Sequence, residues 1–411
     1  MKIKSLLLGS AAAMVAVSGA QAADAIVVEP EPVEYVRVCD MYGAGYFYIP
    51  GTETCLRISG QVRIDYNSAH YHDTPDNYLS TAGVLTAGWD DTSHHSAVVR
   101  GRIGFTAQNE TEYGTLGSDI VLTMWRTSLK DEFSATEGYH GQAGGLDGLT
   151  KATINLAGFR AGYDGVAGGA WMRYGGYGYY NARHDGFYYA GGTYSAMFFE
   201  YGGSVGDINY VVGVQDSMAS GTPGAPDPYI GMTAAFGGLS LGAIVVYDSN
   251  GGYDEDDVTA ANLTGSTSDG GFAYKVRADY DLSSMIPGGS IGGWWMADHG
   301  QTDYVKGHAW GVTMQANLTD KLVAFGGYSA IDYDDVSSAT AIFPGGAPSV
   351  ADWTVGVRWN VASGLYVQAE WNKTIADDNI FLDRDLRTGA ANVDFTESSR
   401  DRFNLRILRS F

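Results

Sequence analysis

The chain has 411 residues, of which 57 are Gly, 28 Tyr, 10 Pro and 2 Cys; 45 % are hydrophobic and 13 % aromatic. The aromatic content excludes a disordered chain, and so much glycine excludes long helices, since each interior Gly costs a helix about 1 kcal/mol. Acidic residues number 47 against 25 basic, a net charge of −22, which argues against a nucleic-acid partner because a phosphate backbone would be repelled.

At the N-terminus, Lys2 and Lys4 precede an apolar run from Leu6 to Val17, interrupted by Gly9 and Ser10, and Ala20-Gln21-Ala22 has small–x–small spacing. This is the pattern of a secretory signal peptide over residues 1–22. An N-terminal membrane helix is the alternative, but the run falls short of the ~20 residues a span needs. Cleavage takes two lysines with it, leaving 23 basic against 47 acidic residues and moving the charge from −22 to −24. Residues 23–54 follow as a periplasmic N-terminal segment with the pair Cys39 and Cys55, the only cysteines. An even count in an oxidising compartment points to one disulfide, worth about 3 kcal/mol by chain entropy. A metal site is the poorer alternative, because the two cysteines have no nearby His.

From residue 55 to 411 the signal is period two. Leu56, Ile58, Val62, Ile64 and Tyr66 alternate with Arg57, Ser59, Gln61, Arg63 and Asp65. Tyr274, Val276, Ala278, Tyr280 and Leu282 alternate with Lys275, Arg277, Asp279 and Asp281, and Trp353, Val355, Val357, Trp359 and Val361 with Thr354, Gly356, Arg358 and Asn360. These are strands with one apolar face. The pattern predicts sixteen of them: 55–67, 95–108, 113–127, 149–157, 159–164, 194–202, 207–217, 228–236, 239–248, 271–282, 289–299, 307–318, 321–333, 352–361, 364–374 and 399–411. Short Gly/Asn/Asp turns alternate with long connections, the first over 68–94 and the third over 165–193. Short turns on one side and long loops on the other is the layout of outer-membrane barrels. A soluble β-sandwich also alternates; the leader, the loop asymmetry and the C-terminus decide against it. At that C-terminus Phe403, Leu405, Ile407 and Phe411 share one face over ~26 Å of strand. A terminal aromatic on an amphipathic strand resembles the signal read by the barrel-assembly machinery. Arg409 shares that apolar face and is expected at the interface.

The stretch Tyr46-Phe47-Tyr48-Ile49-Pro50-Gly51-Thr52-Glu53-Thr54-Cys55-Leu56-Arg57-Ile58-Ser59-Gly60, preceded by Glu34-Tyr35-Val36-Arg37-Val38-Cys39, resembles the alphaproteobacterial general porins of the porin-2 type. That resemblance implies a 16-stranded antiparallel transmembrane β-barrel, a homotrimer, and a third long loop folded inward. The loop, after Gly158 to Tyr163, carries Arg173, Arg183, His184 and a single acid, Asp185, together with many Gly and Tyr.

Catalytic signals are weak. Gly202-Gly203-Ser204-Val205-Gly206 and Gly288-Gly289-Ser290-Ile291-Gly292 match the hydrolase nucleophile pattern but sit at strand connections, without a following helix. His70, His72, His94 and His95 fall in the first long connection, where a solvated loop is the plainer reading than a metal site. No enzyme, cofactor or metal is expected. On the strand phase above, Arg57, Arg63, Arg100, Arg102, Lys275, Arg277, Arg358 and Arg406 face inward, as do the acids Glu200, Asp279 and Glu370. Because the first, second and last strands of a closed barrel adjoin, the arginines at 57, 63, 100, 102 and 406 are expected on one wall, giving a transverse field. Excess negative charge lies in the loops, as in Asp254-Glu255-Asp256-Asp257, for solubility, cation enrichment or divalent bridging to lipopolysaccharide in the outer membrane. The expected function is passive diffusion of small hydrophilic solutes, since side chains cannot fill a sixteen-stranded lumen. A sugar-specific channel, suggested by the tyrosines of the third loop, and a barrel enzyme or adhesin are the alternatives.

Overall fold

A computed structural model describes residues 37–75, 89–127, 145–164, 197–215, 226–248, 271–299, 307–333, 349–376 and 398–411. After a 3-10 turn at Asp40–Tyr42 and a short strand β1 (Tyr46–Tyr48) come sixteen longer strands. They are β2 (Cys55–Pro75), β3 (Trp89–Thr111), β4 (Gly114–Thr127), β5 (Gly145–Leu156), β6 (Phe159–Asp164), β7 (Met197–Val205), β8 (Ile208–Gln215) and β9 (Asp227–Phe236). The second half comprises β10 (Leu239–Asp248), β11 (Gly271–Asp281), β12 (Ser290–His299), β13 (Gly307–Asn317), β14 (Leu322–Tyr333), β15 (Ser349–Ala362), β16 (Leu365–Ala376) and β17 (Ser398–Ser410). Each pairs antiparallel with its neighbour in sequence, and β17 pairs with β2 to close the sheet. Every predicted strand is present, and β1 is an addition, an edge piece paired to the start of β2. Closure removes the sheet edges, and with them the unpaired backbone groups that a bilayer cannot satisfy.

The pleat sorts side chains inside out relative to a soluble protein. On β15 the outward Trp353, Val355 and Trp359 are 50, 52 and 51 % exposed, while the inward Asp352 and Thr354 are buried. Water inside and lipid outside reverse the usual preference, so alternation carries the membrane topology strand by strand. Outward aromatics touch one another across neighbouring strands: Tyr274 with Trp295, Trp310 with Tyr328, and Tyr328 with Trp353 at 4.5 Å between centroids. They suit a headgroup girdle.

Seven short turns gather at one end. One of the two-residue turns, Ala157-Gly158, has φ of 51° and 87°, the two left-handed positions of such a hairpin. The strand ends at the other side lead into the eight remaining connections, whose residues lie almost entirely outside the described ones. There β2 and β3 run further than the alternation predicts, to Pro75 and from Trp89 instead of 67 and 95. Beyond Asn67 polar residues occupy both faces, because a strand that has left the apolar band no longer needs an apolar side. His70, His72, His94 and His95 therefore lie on paired strands and not in a loop.

Cys39 and Cys55 form the disulfide, with Cα atoms 6.0 Å apart. Tyr46 is buried with the two cysteines, and Tyr42 and Tyr48 pack against them. The Tyr42 hydroxyl donates to Glu110 Oε1 at 3.0 Å, tying the stapled segment to the turn end of β3. At the opposite end of the sequence, the Phe411 backbone exchanges two hydrogen bonds with Gly60. Its ring lies where a side chain at position 60 would stand, so any larger residue there must push the ring aside. Phe403, Ile407 and Phe411 are exposed on the outer face, and Arg409 reaches back to the Ser363 carbonyl at the short-turn end.

Candidate functional site

The inner face of the barrel carries the chemistry. Antiparallel register sets Arg63 opposite Arg100, Gln61 opposite Arg102, and Asp65 opposite Arg406. Asp65 is the hub: Arg63 Nε stands 2.6 Å from one carboxylate oxygen and Arg406 Nε 2.6 Å from the other. Arg100 donates to Gln61 Oε1 at 3.3 Å, and Arg102 to Thr123 Oγ1 at 3.2 Å. These four arginines thus stand together on β2, β3 and β17. Arg57 does not join them. It is six residues away, ~20 Å along β2, with its guanidinium 4.9 Å over the Tyr46 ring at the stapled end.

Two further arginines, Arg400 and Arg402, share the inward parity of Arg406 and extend the basic wall along β17. Sequence reasoning passed over them, although even numbering on the same strand was a sufficient signal. On the adjoining strands, Glu370 accepts from Gln368 Nε2 at 3.0 Å, Asn372 donates to Thr354, and Asn404 donates to Asn67 Oδ1 at 2.7 Å. Arg358 lies over the Tyr366 ring. A recess of ≈ 120 Å³ opens on this wall, lined by Arg63, Asp65, Asn67, Arg402, Asn404 and Arg406 among others.

A second charged group lies on β4 to β9. Arg160 donates to Asp164 at 2.6 Å and to Glu200 at 3.3 Å, and Tyr229 donates to the other Glu200 oxygen. Lys151 stands 3.4 Å from Asp119. Glu200 is buried within this network, which borders a cavity of ≈ 690 Å³. Its partner Arg160, and Asp164 which the same arginine also holds, were missed because parity places a residue on a face without saying which strand's side chain it meets. On β11, Arg277 and Asp279 pair with each other, and Lys275 is buried.

Beside these groups the inner face also carries an apolar area. Val211, Tyr229, Ile244, Val246, Ala273, Trp294, Met296, Ala309 and Ile331 form one buried cluster across β8 to β14. The candidate loop residues Arg173, Arg183, His184 and Asp185, and the acidic run at 254–257, lie outside the described residues. Ser204 and Ser290 both belong to strands joined by hairpins, not to strand-to-helix elbows.

Comparison with known proteins accounts for the pattern. The Porin_2 model, described as a porin subfamily, matches residues 24–401. Porin Omp2b of Brucella suis is 39 % identical over 268 residues, covering 61 % of this chain and 67 % of that protein. Porin Omp2a of Brucella ovis is 49 % identical over 177 residues, 40 % of this chain, so the chain spans about half the length (46 %) of that relative. In fold, the chain is similar to the outer-membrane channel DcaP of Acinetobacter baumannii, with a TM-score of 0.56 and 14 % identity over 89 % of this chain and 99 % of that one. It is also similar to an anion-selective porin of Comamonas acidovorans, with a TM-score of 0.55 and 15 % identity over 87 % of this chain and all of the other. With a sheet closed by β17 on β2, apolar outside and charged within, the chain belongs to the Porin_2 subfamily of porins, in the bacterial outer membrane.

Proposed function

We propose that the chain forms a water-filled channel for passive diffusion of small hydrophilic solutes and ions, a channel rather than an enzyme. The observation that carries this is the inverted barrel: sixteen closed strands with the charged and amide side chains on the inner face, beside one apolar cluster, and aliphatic and aromatic side chains on the outer. Inward Arg63, Arg100, Arg102, Arg358, Arg400, Arg402, Arg406 and Lys275 then act as lining cations, opposed by Glu200, Asp279, Glu370 and the Asp164 group. The excess of arginine on β2, β3 and β17 over the carboxylates Asp65 and Glu370 beside it sets up a field across the lumen that orients polar solutes and disfavours apolar ones. Stepwise conductance increments in planar bilayers test it; a folded barrel that never conducts would refute it.

The segment 165–193 is proposed to fold inward as the constriction, with Arg173, Arg183, His184 and Asp185. It leaves from β6 and returns to β7, and the buried apolar face of β8 to β14 suits a covering segment inside the barrel. The cleaved leader over 1–22, the periplasmic segment 23–54, homotrimer assembly, delivery by the barrel-assembly machinery and contact of loop carboxylates with lipopolysaccharide through divalent cations belong to the same proposal. Sequencing the mature N-terminus tests the first. A band on unheated gels that stays at monomer mass would overturn the trimer.

A further inference from the structure

We infer that the recess on β2, β16 and β17 is a binding station for small hydroxylated oxyanions, a carboxylate or phosphate group carried on a polyol. It rests on the channel reading. Three guanidiniums, Arg63, Arg402 and Arg406, and three amides, Asn67, Asn372 and Asn404, line a recess of ≈ 120 Å³, enough for the anionic end of a solute whose remainder stays in the lumen. Two carboxylates, Asp65 and Glu370, offset part of this charge, and three guanidiniums against two carboxylates leave a net excess of one positive charge. Asp65 accepts a hydrogen bond from Arg406 Nε and forms an ion pair with Arg63, and Glu370 accepts from Gln368. Arg100 stands directly across the register from Arg63 and adds positive potential.

The chemistry selects the solute class. Guanidinium forks match the planar or tetrahedral oxygens of carboxylate and phosphate far better than a spherical halide. The amides offer donors and acceptors together, which hydroxyls on the neighbouring carbons can use and a bare anion cannot. Asn372 and Asn404 are nine-tenths or more buried and held in place, the first by Thr354 and the second by Asn67. Val98 is the one apolar side chain of the lining, so the recess gives little to an apolar solute.

The test is D-gluconate added to the wild-type channel in a planar bilayer at fixed KCl and voltage, with D-glucose as its neutral counterpart and glycerol 3-phosphate as the phosphate arm. Gluconate and glycerol 3-phosphate should reduce the current saturably, with a half-effect that weakens as KCl rises, whereas glucose should not saturate. Arg402→Gln should raise the half-effect concentration by on the order of tenfold, the scale of one lost charged hydrogen bond, and with acetate added as a carboxylate that carries no hydroxyl, Asn372→Ala should raise it for gluconate more than for acetate. Equal, unsaturated responses to gluconate and glucose would overturn the inference, as would an unchanged half-effect in a conducting Arg402→Gln channel. A barrel that does not conduct at all refutes the channel reading instead, so the two failures are distinguishable.

Discussion

Replacing Asp65 with Asn should weaken the barrel at its seam. The carboxylate joins the first and last strands of the barrel, bonding residues 341 positions apart in sequence. Its side chain is 6 % exposed, and it holds two guanidiniums at 2.6 Å. The charge-assisted hydrogen bond from Arg406 contributes about 1.5–3 kcal/mol, and removing one partner of a buried ion pair costs about 3–5 kcal/mol. The arginines keep 23 and 18 % exposure to the lumen, so water screens part of the loss and the lower bound, about 3 kcal/mol, is the expected effect. Urea unfolding of the refolded barrel, followed by tryptophan fluorescence, measures it. Asp207→Asn, in the exposed β7–β8 turn, is the control and should stay within about 0.5 kcal/mol of wild type. Combining Asp65→Asn with Arg406→Gln should cost less than the sum of the two changes, since they share one interaction. Identical unfolding of Asp65→Asn and Asp207→Asn would refute the seam argument.

Gly60→Val should displace the Phe411 ring and slow closure, read as delayed appearance of the heat-modifiable band in refolding, with deletion of Phe411 giving the same delay. Burial against the disulfide end, with the hydrogen bond to Glu110, pushes the Tyr42 phenol up to about 12. The fold favours the protonated phenol, so this contribution is complete below pH 10, the ordinary value, and is lost as pH rises towards 12; an ultraviolet difference titration of wild type against Tyr42→Phe should show the late step, and its absence would count against the bond. Changing Asp254, Glu255, Asp256 and Asp257 to amides should reduce a weak cation preference at low salt, whereas Arg63→Ala should increase it. Both are read as zero-current potentials in a salt gradient, and an anion preference untouched by the loop change would transfer control to the inner wall.

Much of this architecture is legible because lipid imposes its demand at every second residue. Trp353 to Val361 announces a strand, its membrane face and its lumen face at once. What parity does not carry is register. It places Glu200 inside but not beside Arg160 and Tyr229, and it places Arg57 inside without revealing Tyr46 beneath it. The ends of β2 and β3 were missed because alternation lapses where the strand clears the apolar band. One signal was present and unused. Ala243-Ile244-Val245-Val246-Tyr247 on β10 is apolar on both faces, and Ile244 and Val246 belong to the buried inner cluster.

The two-faced pleat also governs how such a chain tolerates changes in length. One residue inserted in mid-strand turns every following side chain to the opposite face until a bulge restores the phase. In β17 that would carry Arg400, Arg402 and Arg406 into lipid, at about 2–4 kcal/mol each near the midplane, and drop Phe403, Leu405 and Ile407 into water. Two inserted residues keep the faces and merely slide the register. Strands are therefore free to drift in length by pairs, while odd changes are confined to the eight long connections. Closely related channels should accordingly differ in loop length without restriction and in strand length by even numbers.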